Sequence, residues 1–429
     1  MREELFEIRL VDALQVLDSR GDPTIEVIVA TRGGVGRAIA PAGASRGAHE
    51  AWELRDGDPK KFHGRSVYRA IEVVKKYIDP SLRGIDSRLQ REIDNKLISM
   101  DGTPNKSRLG GNTTTATSLA VLKAAADTYR IPVFRYLGGL RAKRLPIPMM
   151  NIINGGVHAG NNLAFQEFMI VPLRFRSFSD ALRAGVEIYK TLKEILKQRY
   201  GASAINVGDE GGYAPPLSRV EDALKLLAEA ISRAGYVLAE EVYISIDAAA
   251  SQFYDENKSK YVVDGREYSS EELLDLYLRL ADEYKLLSIE DPFHEEDFES
   301  FSKLTNSLKR TRVVGDDHLT TNINRLRESL AKRSVSSVLV KINQIGTFSE
   351  AQDFVRLAKD NNLFTIVSHR SGDSEDNIIA HIAVGLESEF IKTGAPARSE
   401  RTSKYNELLR IEHYLGEEAE YFGDKLKLG

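Results

Sequence analysis

Apolar residues change their spacing twice along the chain. From Thr24 to Ala40, TIEVIVATRGGVGRAIA, they flank a Gly-Gly pair, which predicts two strands joined by a turn. SVYRAIEVVKKYI and TATSLAVLKAAADTY then carry helical spacing. After LGGLRAKRLPIP the pattern changes again, and a boundary is expected near Leu137 to Arg144. It divides the chain into a first domain, 1–137, and a second, 138–429.

Beyond that boundary, short apolar runs each end in a polar residue. VYISID ends at Asp247, LLSIE at Glu290, RVVGD at Asp316, SVLVK at Lys341, FTIVSH at His369 and EFIK at Lys392. Successive gaps are 43, 26, 25, 28 and 23 residues, and a gap near 25 accommodates one strand, one helix and two loops. The segments between agree. SSEELLDLYLRLADEY opens on a Ser269/Glu272 capping box and sets Leu273, Tyr277, Ala281 and Tyr284 on one helical face. SEAQDFVRLAKDNN does the same through Ala351, Phe354 and Ala358. Repeated βα units with polar residues at the strand ends predict an α/β barrel of TIM type, with its site at that face. A doubly wound sheet would show a glycine-rich phosphate loop after its first strand, and LDSRGDP does not fit one.

Composition narrows the function. The 429 residues are 42% hydrophobic, enough for a large core, and the net charge of -4 argues against nucleic acid as the main partner. No apolar run reaches the roughly 20 residues of a membrane helix, and MREELFEIRL lacks the apolar core of a signal peptide. Cysteine is absent, which excludes disulfides and thiolate metal sites, and a cytoplasmic location is expected. Few methionines and abundant charge suit a heat-adapted protein.

In a barrel, Asp247, Glu290 and Asp316 converge from successive strand ends. Three carboxylates together repel, so a hard cation such as Mg²⁺ is expected among them. Lys341 and Lys392 face that centre. Two readings of Lys341 stand: a counter-ion to the acids, or a base whose proton affinity is lowered by burial and cationic neighbours toward about 7–8. NVGDEGGYAPP presents Asp209 and Glu210 in a glycine-rich turn. NGGVHAGNNLAFQEFMIV puts His158 in a loop and Gln166 and Glu167 within an apolar strand, where an unpaired charge is costly. In SHRSGDSED, Arg370 and Ser371 are expected just before a helix start, a setting that suits an oxyanion such as phosphate. A dication, a lysine, a remote carboxyl and an oxyanion clamp together suit proton abstraction beside a carboxylate.

The motifs LDSRGDPTIEV, GASRGAHEAWELRDGD, NGGVHAG, QEFMI, NVGDEGGYAP, SIEDPF, VGDDHLTTN, VKINQIGT, SHRSGDSED and IKTGAPARSER occur in the order found in enolases, across the whole chain. The chain resembles that family, including its archaeal, thermophilic members. The resemblance implies interconversion of 2-phosphoglycerate and phosphoenolpyruvate in glycolysis. It implies an N-terminal α+β domain before an atypical eight-stranded barrel whose first units are not all parallel. Asp247, Glu290 and Asp316 would hold one Mg²⁺, and Ser45 would contact a second that arrives with substrate. A lysine or histidine base with one or two Mg²⁺ ions is the established pattern of the wider superfamily. Lys341 would take the α-proton, and Glu210, supported by Glu167, would protonate the leaving 3-hydroxyl. Arg370 and Ser371 would hold the phosphate, Lys392 would sit by the carboxylate, and His158, Gln166 and His369 would complete the substrate site.

The family also implies a homodimer or a higher homo-oligomer. One cross-subunit ion pair matches Glu26 and Arg410, whereas the acid expected opposite Arg20 is replaced by His413. Arg46 stands where the mobile loop commonly has Thr, Ala42 replaces a common Ser, and LGGNTTTATSLAV replaces a more apolar segment. Two other readings compete. Another superfamily enzyme would lack SHRSG and the GDEGG turn, and a non-enzymatic scaffold copy would be free to lose Lys341, Glu210 or a metal acid. This chain has all of them.

Overall fold

The computed structural model describes residues 3–43, 47–156 and 159–426. The alternating segment near the N-terminus forms an antiparallel meander of β1 (Ile8–Leu17), β2 (Pro23–Thr31) and β3 (Val35–Ile39), turning at Gly33 and Gly34 as its spacing predicts. One face of the sheet is backed by α1 (Gly111–Tyr129). The helix lies so close to β3 that a Cβ on Gly36 would strike the backbone of Ala120 and Ala124.

The polar opening of α1 is buried and largely bonded, with the Thr115 hydroxyl the exception. Thr113 donates to the Gly110 carbonyl at 2.6 Å and Thr117 to that of Thr113 at 2.8 Å. Asn112 exchanges two hydrogen bonds with the Leu54 backbone, at 3.0 and 3.1 Å. Local back-bonding of this kind satisfies the hydroxyls of Thr113 and Thr117 inside the helix core.

The rest of the chain closes an eight-stranded barrel. In chain order its strands are β4 (Ile147–Asn154), β5 (Glu167–Pro172), β6 (Val242–Asp247), β7 (Ser288–Glu290), β8 (Arg312–Gly315), β9 (Ser337–Val340), β10 (Phe364–Ser368) and β11 (Phe390–Lys392). β11 closes against β4. Strand β5 alone runs antiparallel to both neighbours, and the other contacts are parallel. Its first residue, Glu167, therefore lies at the end of the barrel where the parallel strands finish. The regular βα spacing begins only after this reversed strand.

Outside the barrel, α2 (Ser270–Tyr284) starts on the expected Ser269/Glu272 capping box and buries Leu273, Tyr277, Ala281 and Tyr284. Helix α3 (Phe348–Asp360) is capped by Thr347 and buries Ala351, Phe354 and Ala358. Helix α4 (Ile378–Gly385) precedes β11, and α5 (Ser399–Leu415) follows it. Since α4 begins at Ile378, Arg370 and Ser371 lie in an extended loop and not at a helix start as the sequence suggests; Asp376 caps the first turn by accepting from the Ile378 N–H at 3.0 Å. Among the described residues, no helix is long and apolar enough to cross a membrane.

Two bonds tie the N-terminal segment to that loop. The Ala42 N–H donates to the Gly372 carbonyl at 2.8 Å, and the Gly372 N–H returns to Ala42 at 2.9 Å. Because Ala42 meets the loop through its backbone, the Ser-to-Ala departure leaves this link unaltered.

Candidate active site

Strand register brings the polar strand ends together. Asp247 pairs laterally with Glu290 on one side and with Glu167 on the other. Asp316 follows β8, Lys341 follows β9, His369 follows β10 and Lys392 ends β11. Gln166, Glu167, Glu210, Lys341, His369, Arg370, Ser371 and Lys392 line one cavity, with Gly43 at its rim. Gln166 immediately precedes β5, with its side-chain Oε1 buried and without a protein partner.

Lys392 organises one half of the mouth. Its ammonium lies 2.8 and 2.9 Å from the two Glu290 oxygens, 2.9 Å from Asp247 and 3.0 Å from Glu167. Burial disfavours its charge, but Asp247, Glu167 and Glu290 outweigh burial and hold its pKa well above the lysine value. Glu167 is shifted strongly upward, by burial first and then by the charge of Glu210. Burial and Asp247 push Glu290 the same way.

Lys341 organises the other half, ion-paired through Nζ with Asp316 Oδ2. Gln344 donates to Asp316 Oδ1 at 2.9 Å and accepts from Thr321 at 2.8 Å, while Thr321 accepts from the Lys341 N–H at 2.9 Å. The downward shift expected for Lys341 is not found. Burial, the largest single influence, pushes its pKa down, as do Arg370 and Lys392, yet the carboxylates of Asp316 and Asp317 leave it raised. The counter-ion reading thus describes Lys341 in this state.

Glu210 sits in the glycine-rich turn as expected, with Gly211 beside it at φ +84°. Asn151 of β4 donates to Glu210 Oε2 at 2.9 Å, and His369 Nε2 lies 3.5 Å from Oε1. Arg370 makes a two-point pair with Glu50, at 2.9 and 3.0 Å, and donates to Asn343 at 3.2 Å. Sequence patterning had not singled out Glu50, Asn151, Gln344 or Arg401. A polar residue within the apolar run MMNIIN marks Asn151, and Glu50 and Gln344 lie inside the motifs GAHEAWELRDGD and VKINQIGT. Ser45, Arg46 and His158 lie outside the described residues.

The donor chemistry fits a hard dication. Asp247, Glu290 and Asp316 offer only carboxylate oxygens at one mouth, and all three are buried. They are divided between two ammonium groups, Asp247 and Glu290 on Lys392 and Asp316 on Lys341. Among the described residues, the group of three carboxylates lying mutually within 4.8 Å is that of Asp291, Asp316 and Asp317. Asp291 is already committed, because its two oxygens accept the backbone N–H groups of Asp316 at 2.9 Å and Asp317 at 2.7 Å. It shapes the turn that presents Asp316.

Comparison with known proteins agrees with this architecture. Residues 8–137 match the enolase N-terminal domain family, and residues 142–428 match the enolase C-terminal TIM barrel domain family. An enolase of Aeropyrum pernix is 55% identical over 424 residues, covering 98% of each chain. An enolase of Methanocaldococcus jannaschii is 54% identical over 415 residues, 96% of this chain and 97% of its own. An enolase of Pyrococcus furiosus is 51% identical over 426 residues, 99% of each. With both domain families matched and half or more of the residues shared over nearly the full length, the chain belongs to the enolase family.

Proposed function

We propose that the barrel mouth carries out the reversible dehydration of 2-phospho-D-glycerate to phosphoenolpyruvate, the reaction of a phosphopyruvate hydratase, a lyase of glycolysis. The observation that carries this reading is the convergence of Glu167, Glu210, Asp247, Glu290, Asp316, Lys341 and Lys392 at one end of the barrel.

Asp247, Glu290 and Asp316 would hold Mg²⁺, and Ser45 would contact a second ion that arrives with substrate. The bound metal supplies positive charge for the substrate carboxylate as the α-carbon loses its proton. To accept that proton at Nζ, Lys341 must first be neutral; Asp316, now its counter-ion, would release it on turning to Mg²⁺, and burial with Arg370 and Lys392 then favours the free amine. Glu210 donates a proton to the leaving 3-hydroxyl, which departs as water. Asn151 orients the Glu210 carboxyl by hydrogen bond, His369 lies beside it, and Glu167 favours a proton held between the two acids, because like charges resist joint ionisation. Arg370 and Ser371 hold the phosphate, Lys392 steadies the carboxylate end, and His158 and Gln166 contact substrate from the loops.

The same reading takes 1–137 as a capping domain and 138–429 as the catalytic barrel of a cytoplasmic homodimer, or a higher homo-oligomer. Within one chain, Arg410 pairs with Glu407 at 2.9 Å and Arg20 with Asp18 at 3.2 Å. On association Arg410 would share or exchange its partner for Glu26 of a second copy, whereas Arg20, facing His413 in place of an acid, would keep Asp18.

The purified protein is expected to generate phosphoenolpyruvate absorbance from 2-phosphoglycerate with Mg²⁺, and a chelator to abolish it. A folded, metal-loaded protein inactive in that assay would sink the reading and favour a binding role.

A further inference from the structure

Arg401 is fully buried at the base of the site, where a charge is tolerated only if its donors are met. Its Nη1 lies 2.6 Å from His369 Nδ1 and 2.6 Å from the Arg370 carbonyl. Its Nη2 donates to the Asp209 carbonyl at 3.0 Å and to that of Ser371. One guanidinium thereby clasps the loop that carries Glu210 and the loop that carries His369. The clasp is close-packed. A Cβ on Gly394, at φ +75°, would lie 2.7 Å from the Glu210 carbonyl, 3.0 Å from Arg401 Cδ and 3.1 Å from His369 Cε1.

A guanidinium donates hydrogen bonds and accepts none. Facing Arg401, His369 Nδ1 must present its lone pair, so the neutral ring carries its proton on Nε2. That nitrogen points toward Glu210 Oε1 at 3.5 Å and has no closer protein partner. Protonating the ring at Nδ1 would set N–H against N–H.

We propose that Arg401 is a positioning residue that locks His369 as the neutral, Nε2-protonated tautomer, a donor held ready toward the Glu210 carboxyl and the oxygen leaving beside it. His369 then carries no proton through the reaction, and proton transfer at that side belongs to Glu210 alone. The charged groups facing the ring are Glu210, which favours an imidazolium, and Arg401, Lys392 and Lys341, which oppose it together with burial. The inference rests on the proposed role of Glu210 for its catalytic meaning, but the tautomer itself does not.

The test uses full-length protein labelled with ¹⁵N-histidine, with the His369 signals identified by their loss in His369→Gln. The wild-type ring is expected as the pure Nε2–H form, unchanged from about pH 6 to about pH 9. Arg401→Lys retains a donor and should retain that form. Arg401→Met should give mixed tautomers or imidazolium, with kcat reduced about tenfold or more and KM within about threefold. His369→Gln, whose amide can donate from the Nε2 position, should keep more activity than His369→Leu. An Nδ1–H or imidazolium signal in the wild type overturns the proposal, as does a pure Nε2–H signal in Arg401→Met. If Arg401→Met does not fold, the wild-type and Arg401→Lys spectra decide. Glu210→Gln tests the acid separately, since it should abolish turnover while leaving the His369 tautomer in place.

Discussion

Glu50 and Arg370, 320 residues apart in sequence, form a buried two-point ion pair at 2.9 and 3.0 Å. Glu50 also accepts from the Gly47 N–H at 3.2 Å. The pair therefore joins the backbone at Gly47 to the residue proposed to hold phosphate. Glu50→Ala would leave a guanidinium buried without its main counter-charge, a loss that costs about 3–5 kcal/mol. Denaturant unfolding should show a fall of that size. A change below about 1 kcal/mol would mean that the pair contributes no more than an exposed ion pair.

Lys341→Ala should stop exchange of the substrate α-proton with solvent and lower kcat by about a hundredfold or more. Mg²⁺ binding, followed by calorimetry, should survive because Asp247, Glu290 and Asp316 remain. Exchange that persists in the variant would move the base elsewhere.

Asp291→Asn should weaken Mg²⁺ binding by about ten- to a hundredfold with the barrel still folded. The carboxylate accepts two backbone N–H groups of the turn that presents Asp316, and an amide can accept only one of them well. Unchanged metal affinity, measured by the same titration, would remove Asp291 from the support of the site.

His318 makes stability depend on pH. Its ring stacks on Phe301 with centroids 3.9 Å apart, and burial pushes its pKa down from 6.5 to about 4. The unfolded chain takes up this proton first as pH falls. The stability linked to His318 is whole above about pH 6.5 and is lost progressively down to about pH 4, on the order of 3 kcal/mol in all. Unfolding free energies at pH 7 and pH 4.5 should differ more in the wild type than in His318→Phe. An equal difference in both proteins would assign the acid sensitivity to other groups.

Local pattern alone determined the barrel and the polar residues at its strand ends. Alternation and helical spacing act over a few residues, and a βα unit has nearly constant length, so Asp247, Glu290, Asp316, Lys341, His369 and Lys392 could be assigned to one face before any coordinates. The motifs added the family, and with it the reversed strand that spacing could not reveal. Tertiary structure decided who meets whom. Lys341 carries a raised pKa because Asp316 touches it, and Arg370 is occupied because Glu50 arrives from 320 residues away. Arg401 governs His369 because the first turn of α5 reaches the loop that follows β10. These outcomes depend on charges and donors brought within about 3 Å by the closed barrel, where low dielectric magnifies each neighbour, and no periodicity along the chain encodes such distances.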